Sequence, residues 1–326
     1  MKVLKYMKMA TIVAALGFVS CNSDDIPQIG DADIQVIASI GDVKTRVNSE
    51  DDGSKFLPGD TLYITGYSSG SWTYVTENGT INGKAEFQAV SDKLSWSKEG
   101  KTSFTAINNG HYFGYDKPVE GYAYLFTGGD EIASNQTTVE KLRAEDIIVG
   151  GYRNDYFSTN GVVSFNMEHV LSKVTVSIKE YNGFDNPAKD GYKITNMIIN
   201  SNKIGDSRVY IYYNAASGSR RWSSKEPTEE KVAISPLMKE DKTNGKHSFT
   251  AIIAPNKYAT GDVFLSFEFQ GIVYKVLANT DLCSEDFIQP GKHYHFDLTI
   301  NKKASVNMSK VSLIGWEEEE FTKFGS

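Results

Sequence analysis

Gly66-Tyr67-Ser68-Ser69-Gly70 has the spacing of a G-x-S-x-G nucleophile turn. That chemistry requires a strand followed by a helix, so that the serine hydroxyl stands beside an oxyanion hole. Here Trp72 to Thr76 reads as a second strand, so the five residues are expected to form a Gly/Ser hairpin loop. His293 and His295 alternate with Tyr294 and are followed by Asp297, which could bring two imidazoles and a carboxylate around one metal. The same alternation also generates a polar face on any half-buried strand, and His111, His169 and His247 are too scattered to supply a third imidazole. The reading is therefore structural, with no metal and no cofactor. Cys283 could be a nucleophile, but a single internal cysteine is more often a small buried hydrophobe. Trp72, Trp96, Trp222 and Tyr210-Ile211-Tyr212-Tyr213 could stack on sugar rings or simply pack. The run Glu317 to Glu320 beside Trp316 fits a charged, blunted strand edge. Phosphate loops, dinucleotide fingerprints and Cys/His clusters are absent from the sequence, and nothing in it calls for an enzyme.

The N-terminal segment carries a more specific signal. Lys2, Lys5 and Lys8 precede a short apolar run from Met9 to Val19, which ends in Ser20-Cys21. This is the layout of a secretory leader over residues 1–20, too short to span a bilayer. A small residue directly before cysteine resembles a bacterial lipobox, with Phe18 standing where leucine is usual. The resemblance implies cleavage before Cys21, acylation of that residue and anchoring in the outer membrane through lipid chains. Residues 21–30 then read as a polar tether.

Beyond the tether, strand signals dominate. Ile34, Val36, Ala38 and Ile40 alternate with more polar neighbours and predict a half-buried strand. Asn48 to Gly59 is rich in acidic and turn residues and predicts an exposed loop. Val174, Val176 and Ile178, then Val263 to Phe269, then Tyr294 to Ile300, repeat the alternation. Turns such as Asn182-Gly183 and Gln270-Gly271 separate them. One short helix is expected near Val139 to Asp146. Many short strands with regular turns indicate β-sandwiches. The chain of 326 residues is long enough for two, divided at residues 31–161 and 162–326. The net charge of −7 argues against nucleic-acid partners, which need a basic surface.

Several stretches together resemble the fimbrillin family of type V pilus subunits. They are the leader ending at Cys21, Lys44-Thr45-Arg46 after the first strand, and Phe56-Leu57-Pro58-Gly59-Asp60-Thr61-Leu62. The run Val163-Ser164-Phe165-Asn166-Met167-Glu168-His169-Val170-Leu171-Ser172-Lys173 is similar too, as are Pro290-Gly291-Lys292-His293-Tyr294 and Ile314-Gly315-Trp316. The resemblance implies an all-β chain of two transthyretin-like Greek-key sandwiches, located on the cell surface in a fimbrium. It implies an arginine-specific protease acting after Arg46, with Lys44 close by, which removes the strand Ile34–Ile40. Head-to-tail assembly with other pilus subunits by donor-strand exchange would follow. The candidate donor is the C-terminal stretch carrying Ala304, Val306, Met308, Val311 and Leu313. The competing reading is a monomeric surface lipoprotein that binds a host or glycan ligand through its aromatic residues. If Cys21 is the acylated N-terminus, Cys21→Ala leaves the protein in the detergent-poor phase on phase partitioning, or unprocessed. A mature wild-type chain starting elsewhere, with no lipid mass, would contradict it.

Overall fold

The computed structural model describes residues 34–41, 55–66, 70–95, 102–108, 132–154, 161–184, 193–202, 209–214, 219–224, 230–241, 246–255, 258–278, 288–302 and 305–314. In the first half the strands are β1 (Gln35–Ile40), β2 (Thr61–Gly66), β3 (Gly70–Val75), β4 (Thr80–Ile81), β5 (Lys84–Ala89), β6 (Thr102–Asn108), β7 (Ile148–Asn154) and β8 (Val162–His169). Pairing runs β8-β7-β6-β2-β3-β5, with β4 beyond β5, and β1 pairs with both β8 and β5. The ribbon is therefore closed by β1. Period-two alternation sends Val36, Ala38, Leu62, Ile64, Tyr74, Phe87, Phe104, Val163, Phe165 and Met167 into one buried cluster.

The second half begins with β9 (Ser172–Asn182) and β10 (Ile194–Asn202), followed by the hairpin of β11 (Val209–Asn214) and β12 (Ser219–Ser224). Then come β13 (Lys231–Ile234), β14 (Leu237–Asp241), β15 (Lys246–Ile253), β16 (Val263–Phe269), β17 (Ile272–Leu277), β18 (His293–Asn301) and β19 (Ser305–Ile314). One sheet has the order β14-β15-β9-β18-β19 and another β13-β10-β16-β17. Side chains from both sheets, among them Val174, Val176, Ile199, Phe264, Phe267, Phe296 and Leu298, form a second cluster. Phe264 lies at its centre, with ring centroids 5.2 Å from Tyr258 and 5.1 Å from Phe296.

The helix α1 (Val139–Ala144) falls inside the expected stretch. Thr138 caps it by accepting from the Lys141 amide. The segment before it fastens the two halves together. The Gln136 side chain is fully buried, donates to the Ile252 carbonyl at 2.9 Å and accepts from the Ile252 amide at 2.8 Å, in the manner of a strand neighbour. Leu142, Ile147 and Val149 accordingly belong to the second cluster, whereas Ile148 belongs to the first.

Two expectations change. The division at 161/162 does not fall between sheets: β8 pairs with β1 and β7, so the chain passes from one sheet to the other at Val170–Leu171. Turn composition marked residue 161, but the apolar alternation of Val163, Phe165 and Met167 is completed by the first core. The loop expected to be exposed up to Gly59 contains a core residue, because Phe56 is 2% exposed and meets Phe87 edge-on at 5.1 Å. Phe296→Ala, which empties the space beside Phe264, is expected to cost about 3–5 kcal/mol in denaturant unfolding. A loss below about 1 kcal/mol would mean that this core collapses around the gap.

Candidate assembly site

β1 has a partner on each side. It runs parallel to β8, from Gln35↔Val162 to Ile40↔Met167, and antiparallel to β5, from Val36↔Phe87 to Ala38↔Ala85. Backbone bonds tie both ends: the Gln35 amide donates to the Gly161 carbonyl at 2.7 Å, and the Gly41 amide to Met167 at 2.9 Å. Ile34, Val36 and Ala38 are buried and Ile40 is partly buried against the same core, so the expected apolar face points inward. The inward residues at the centre are small. Ala38 sits opposite Ala85, which lets β1 lie deep over Leu62, Ile64 and Phe104. A strand in this position is central to its layer, and its removal exposes an apolar trough with open backbone edges on two sides.

A polar cluster lies where β1 ends. A small cavity there is lined by Ile40, Lys55, Phe56, Asp60, Asn108, Arg143, Asp146 and Ile148. Arg143 Nη2 stands 2.8 Å from Asp60 Oδ2. Asn108 donates to the Asp146 carbonyl at 2.8 Å and accepts from the Ile148 amide at 2.7 Å. His169 Nδ1 lies 2.7 Å from Asp146 Oδ1. The end of β1 at Ile40 thus borders a polar cluster held by Arg143 on α1, Asn108 at the end of β6 and His169 at the end of β8.

Asp60 also reveals a feature that sequence reading missed. Its carboxylate accepts from the Leu57 amide at 2.8 Å, its amide donates to the Leu57 carbonyl, and Gly59 has φ +90°. Asp262 repeats the arrangement, accepting from the Ala259 amide at 3.0 Å and donating to Ala259, with Gly261 at φ +91°. Each turn opens a core strand, β2 or β16. The signal was present as Gly-Asp in Gly59-Asp60-Thr61 and Gly261-Asp262-Val263.

The other sequence candidates divide as follows. Gly66 and Gly70 are Cα partners closing the β2–β3 hairpin, so the G-x-S-x-G stretch joins two strands; Ser68 lies outside the described residues. His293 and His295 do share a face of β18. His293 Nε2 lies 2.8 Å from the Thr175 hydroxyl, and His295 Nε2 lies 2.8 Å from the Ser177 hydroxyl. Asp297 Oδ1 is 3.4 Å from His295 Nε2 and 3.6 Å from Lys179 Nζ. This is a hydrogen-bonded polar row along β9 and β18. Trp72 is 8% exposed and packs on Phe104 in the first core. Cys21, Arg46, Trp96, Cys283, Ala304 and Glu317 to Glu320 lie outside the described residues. Met308, Val311 and Leu313 fall on β19, whose backbone pairs with β18 from His293↔Ile314 to Asn301↔Ser305, and Val306 packs partly buried on the second core. Among the described residues no group of three or more His, Cys, Asp or Glu could hold a metal ion, and no helix is long and apolar enough to cross a membrane.

Fold and site together define an all-β protein of packed sheets whose first N-terminal strand completes a sheet it shares with residues far along the chain. The chain belongs to the fimbrillin-like family, whose model matches residues 45–316. No curated protein sequence matches it. Among solved structures it is similar to a protein of Bacteroides uniformis provisionally assigned to cell adhesion. That pair has 17% identity and a TM-score of 0.54, covering 87% of this chain and 98% of the other. A second such protein, from Bacteroides ovatus, has 15% identity and a TM-score of 0.55, covering 90% and 99%. At these identities the likeness is one of fold.

The histidine row gives a pH prediction. Burial first, then the neighbouring charges of Lys173, His295 and His169, hold the His293 imidazole well below its usual 6.5. The unfolded chain therefore takes up a proton below about pH 6.5 that the folded chain refuses, and stability falls as pH drops through that region. His293→Gln is expected to flatten the fall in denaturation midpoint between about pH 6.5 and 5. An identical pH profile in the variant would contradict this.

Proposed function

We propose that the chain is a structural subunit or adhesin of a cell-surface pilus, exported as an outer-membrane lipoprotein through Cys21. On this reading, cleavage after Arg46 by an arginine-specific protease frees β1, and a strand from another subunit takes its place. The observation that carries the reading is the pairing of β1 on both sides, between β5 and β8, just before the segment that contains Arg46. Membership in the fimbrillin-like family supports it.

The energetics favour replacement over an empty trough. Burying Ile34 and Val36 contributes about 1.5–3 kcal/mol each, with smaller terms from Ala38 and Ile40. The sum, on the order of 5 kcal/mol, is comparable to the net stability of a whole domain, about 5–15 kcal/mol. Two open backbone edges add to the drive for a new strand. The candidate donor, residues 304–313, is mostly β19 and pairs with its own β18. It must therefore give up that pairing to enter a neighbour, so exchange trades one edge pairing for a central one. Such strand addition, repeated head to tail, gives an open fibre. The competing glycan-binding reading loses one of its platforms, since Trp72 is buried.

Treatment of the purified protein with an arginine-specific protease is expected to yield SDS-resistant ladders, and Arg46→Ala is expected to abolish them. Deleting residues 303–326 should abolish them as well. A cleaved wild-type protein that stays monomeric at high concentration would contradict the proposal. Ladders from the C-terminal deletion would place the donor strand elsewhere in the chain.

A further inference from the structure

The amine of Lys231 stands among three groups that together can do chemistry. Lys231 opens β13 and is the Cα partner of Asn202, the last residue of β10. Its Nζ donates to Asn202 Oδ1 and lies 3.0 Å from Asp262 Oδ2. The same Nζ lies 5.1 Å from the centre of the Tyr258 ring. Asn202 is 2% exposed and Tyr258 1%, while the Lys231 side chain is about a quarter exposed. Tyr258 donates to the Asn200 carbonyl at 2.6 Å, and Asn200 Nδ2 donates to Val263 at 2.8 Å. The Ala254 amide bonds Ser201 Oγ at 3.0 Å. These bonds fix the end of β10 and the turn that carries Asp262.

An ion pair alone would need lysine and aspartate. It would not need a buried asparagine whose carboxamide oxygen faces the amine. We infer that Lys231 and Asn202 form an intramolecular amide cross-link, with Asp262 as the proton carrier. In the reaction Asp262 accepts a proton from the ammonium, leaving a neutral amine in contact with the carboxamide. The Nζ lone pair attacks Asn202 Cγ, and the C=O electrons move onto Oδ1. Asp262 then passes that proton to Nδ2 and takes the second proton from the now positively charged Nζ. The Oδ1 electrons re-form the C=O as the Cγ–Nδ2 bond breaks, and ammonia leaves with the proton left on Asp262, as ammonium. One amide bond forms, one is lost, and no oxidant or cofactor is consumed. An amine held beside its target carbonyl, with a base within hydrogen-bond reach, has the geometry this transfer requires.

Burial works to raise the pKa of Asp262, but the hydrogen bonds from Lys231 and the Ala259 amide outweigh that, and the group is held below its ordinary value. It is therefore ionised beside the ammonium, and the proton reaches it only transiently, so the transfer is slow and relies on the fixed contact between Nζ, Asn202 and Asp262. The first half of the chain supplies an internal contrast. Asp60 occupies the corresponding turn position but faces Arg143, whose guanidinium stays protonated and is not a nucleophile. The cross-link is thus confined to the second half, where it joins the central strand β10 to the sheet-edge strand β13. An edge strand held covalently cannot peel away under tension.

The test is peptide mapping of the full chain after trypsin. The expected product is residues 194–203 joined to residues 226–239, uncut at Lys231, with a mass equal to the two peptides less one ammonia. Lys231→Arg, which keeps a cation beside Asp262, is expected to release residues 194–203 free, and Asp262→Asn to lower the linked fraction about tenfold or more. Recovery of free 194–203 and of 226–231 cut after Lys231, from folded wild-type protein, would overturn the inference. Undiminished linkage in Asp262→Asn would overturn the part assigned to that carboxylate.

Discussion

The first half of the molecule depends on one strand satisfying two backbone edges. β8 and β5 lie at opposite ends of a continuous ribbon of pairing, and neither has another neighbour able to complete it across the gap that β1 fills. Two other joints of this ribbon are short. β3 meets β5 through Tyr74↔Ala89 and Val75↔Gln88, and β7 meets β8 through Ile148↔His169 and Val149↔Glu168. β1, by contrast, pairs along its whole length with β8 and over three positions with β5. It also covers the core with Ile34, Val36 and Ala38. β1 thus contributes both pairing and core burial to this sheet.

The second half resolves the same edge problem differently. Its parallel pair, β9 and β18, lies inside a five-stranded sheet, flanked by β15 and β19. The polar row of Thr175, Ser177, His293 and His295 holds that pair together through side-chain bonds on the outer face. Its other sheet ends at β13, where Lys231, Asn202 and Asp262 converge. One half is therefore closed by a strand paired on both sides, and the other ends in an edge strand held by Lys231. Gln136, in the segment leading into α1, ties that segment to β15 through buried hydrogen bonds.

Much of this was legible in the sequence because alternation reports burial directly. The faces of β1, β8 and β18 follow their apolar period, and Ile34, Val36 and Ala38 point inward as that period requires. In β16 an irregularity between Val263 and Leu265 buries Phe264, which the alternation assigns to the opposite face. The short helix is expected near Val139 to Asp146, and α1 lies within that stretch. What was not legible is relational. Nothing local in Val162 to His169 says which core it joins, because the apolar face would suit either. Phe56 lies in a stretch whose glycine, proline and acidic neighbours signal a loop, yet one aromatic ring is enough to draw it into the core. The Lys231–Asn202–Asp262 site is spread over 60 residues of sequence and exists only because β10, β13 and a turn meet. A motif search along the chain has no means of assembling it.

The central claim is that β1 is a discrete, replaceable component of the fold. It is tested most directly by supplying the strand in trans. A chain comprising residues 47–326 would be purified and its thermal unfolding followed with and without a synthetic peptide of residues 33–41. The account predicts that the shortened chain unfolds at lower temperature and that the peptide binds saturably and restores the lost stability. A Val36→Asp peptide should fail to do so, because a carboxylate cannot enter the trough without a partner. If the shortened chain is as stable as the full one and ignores the peptide, the strand is dispensable and the account is wrong.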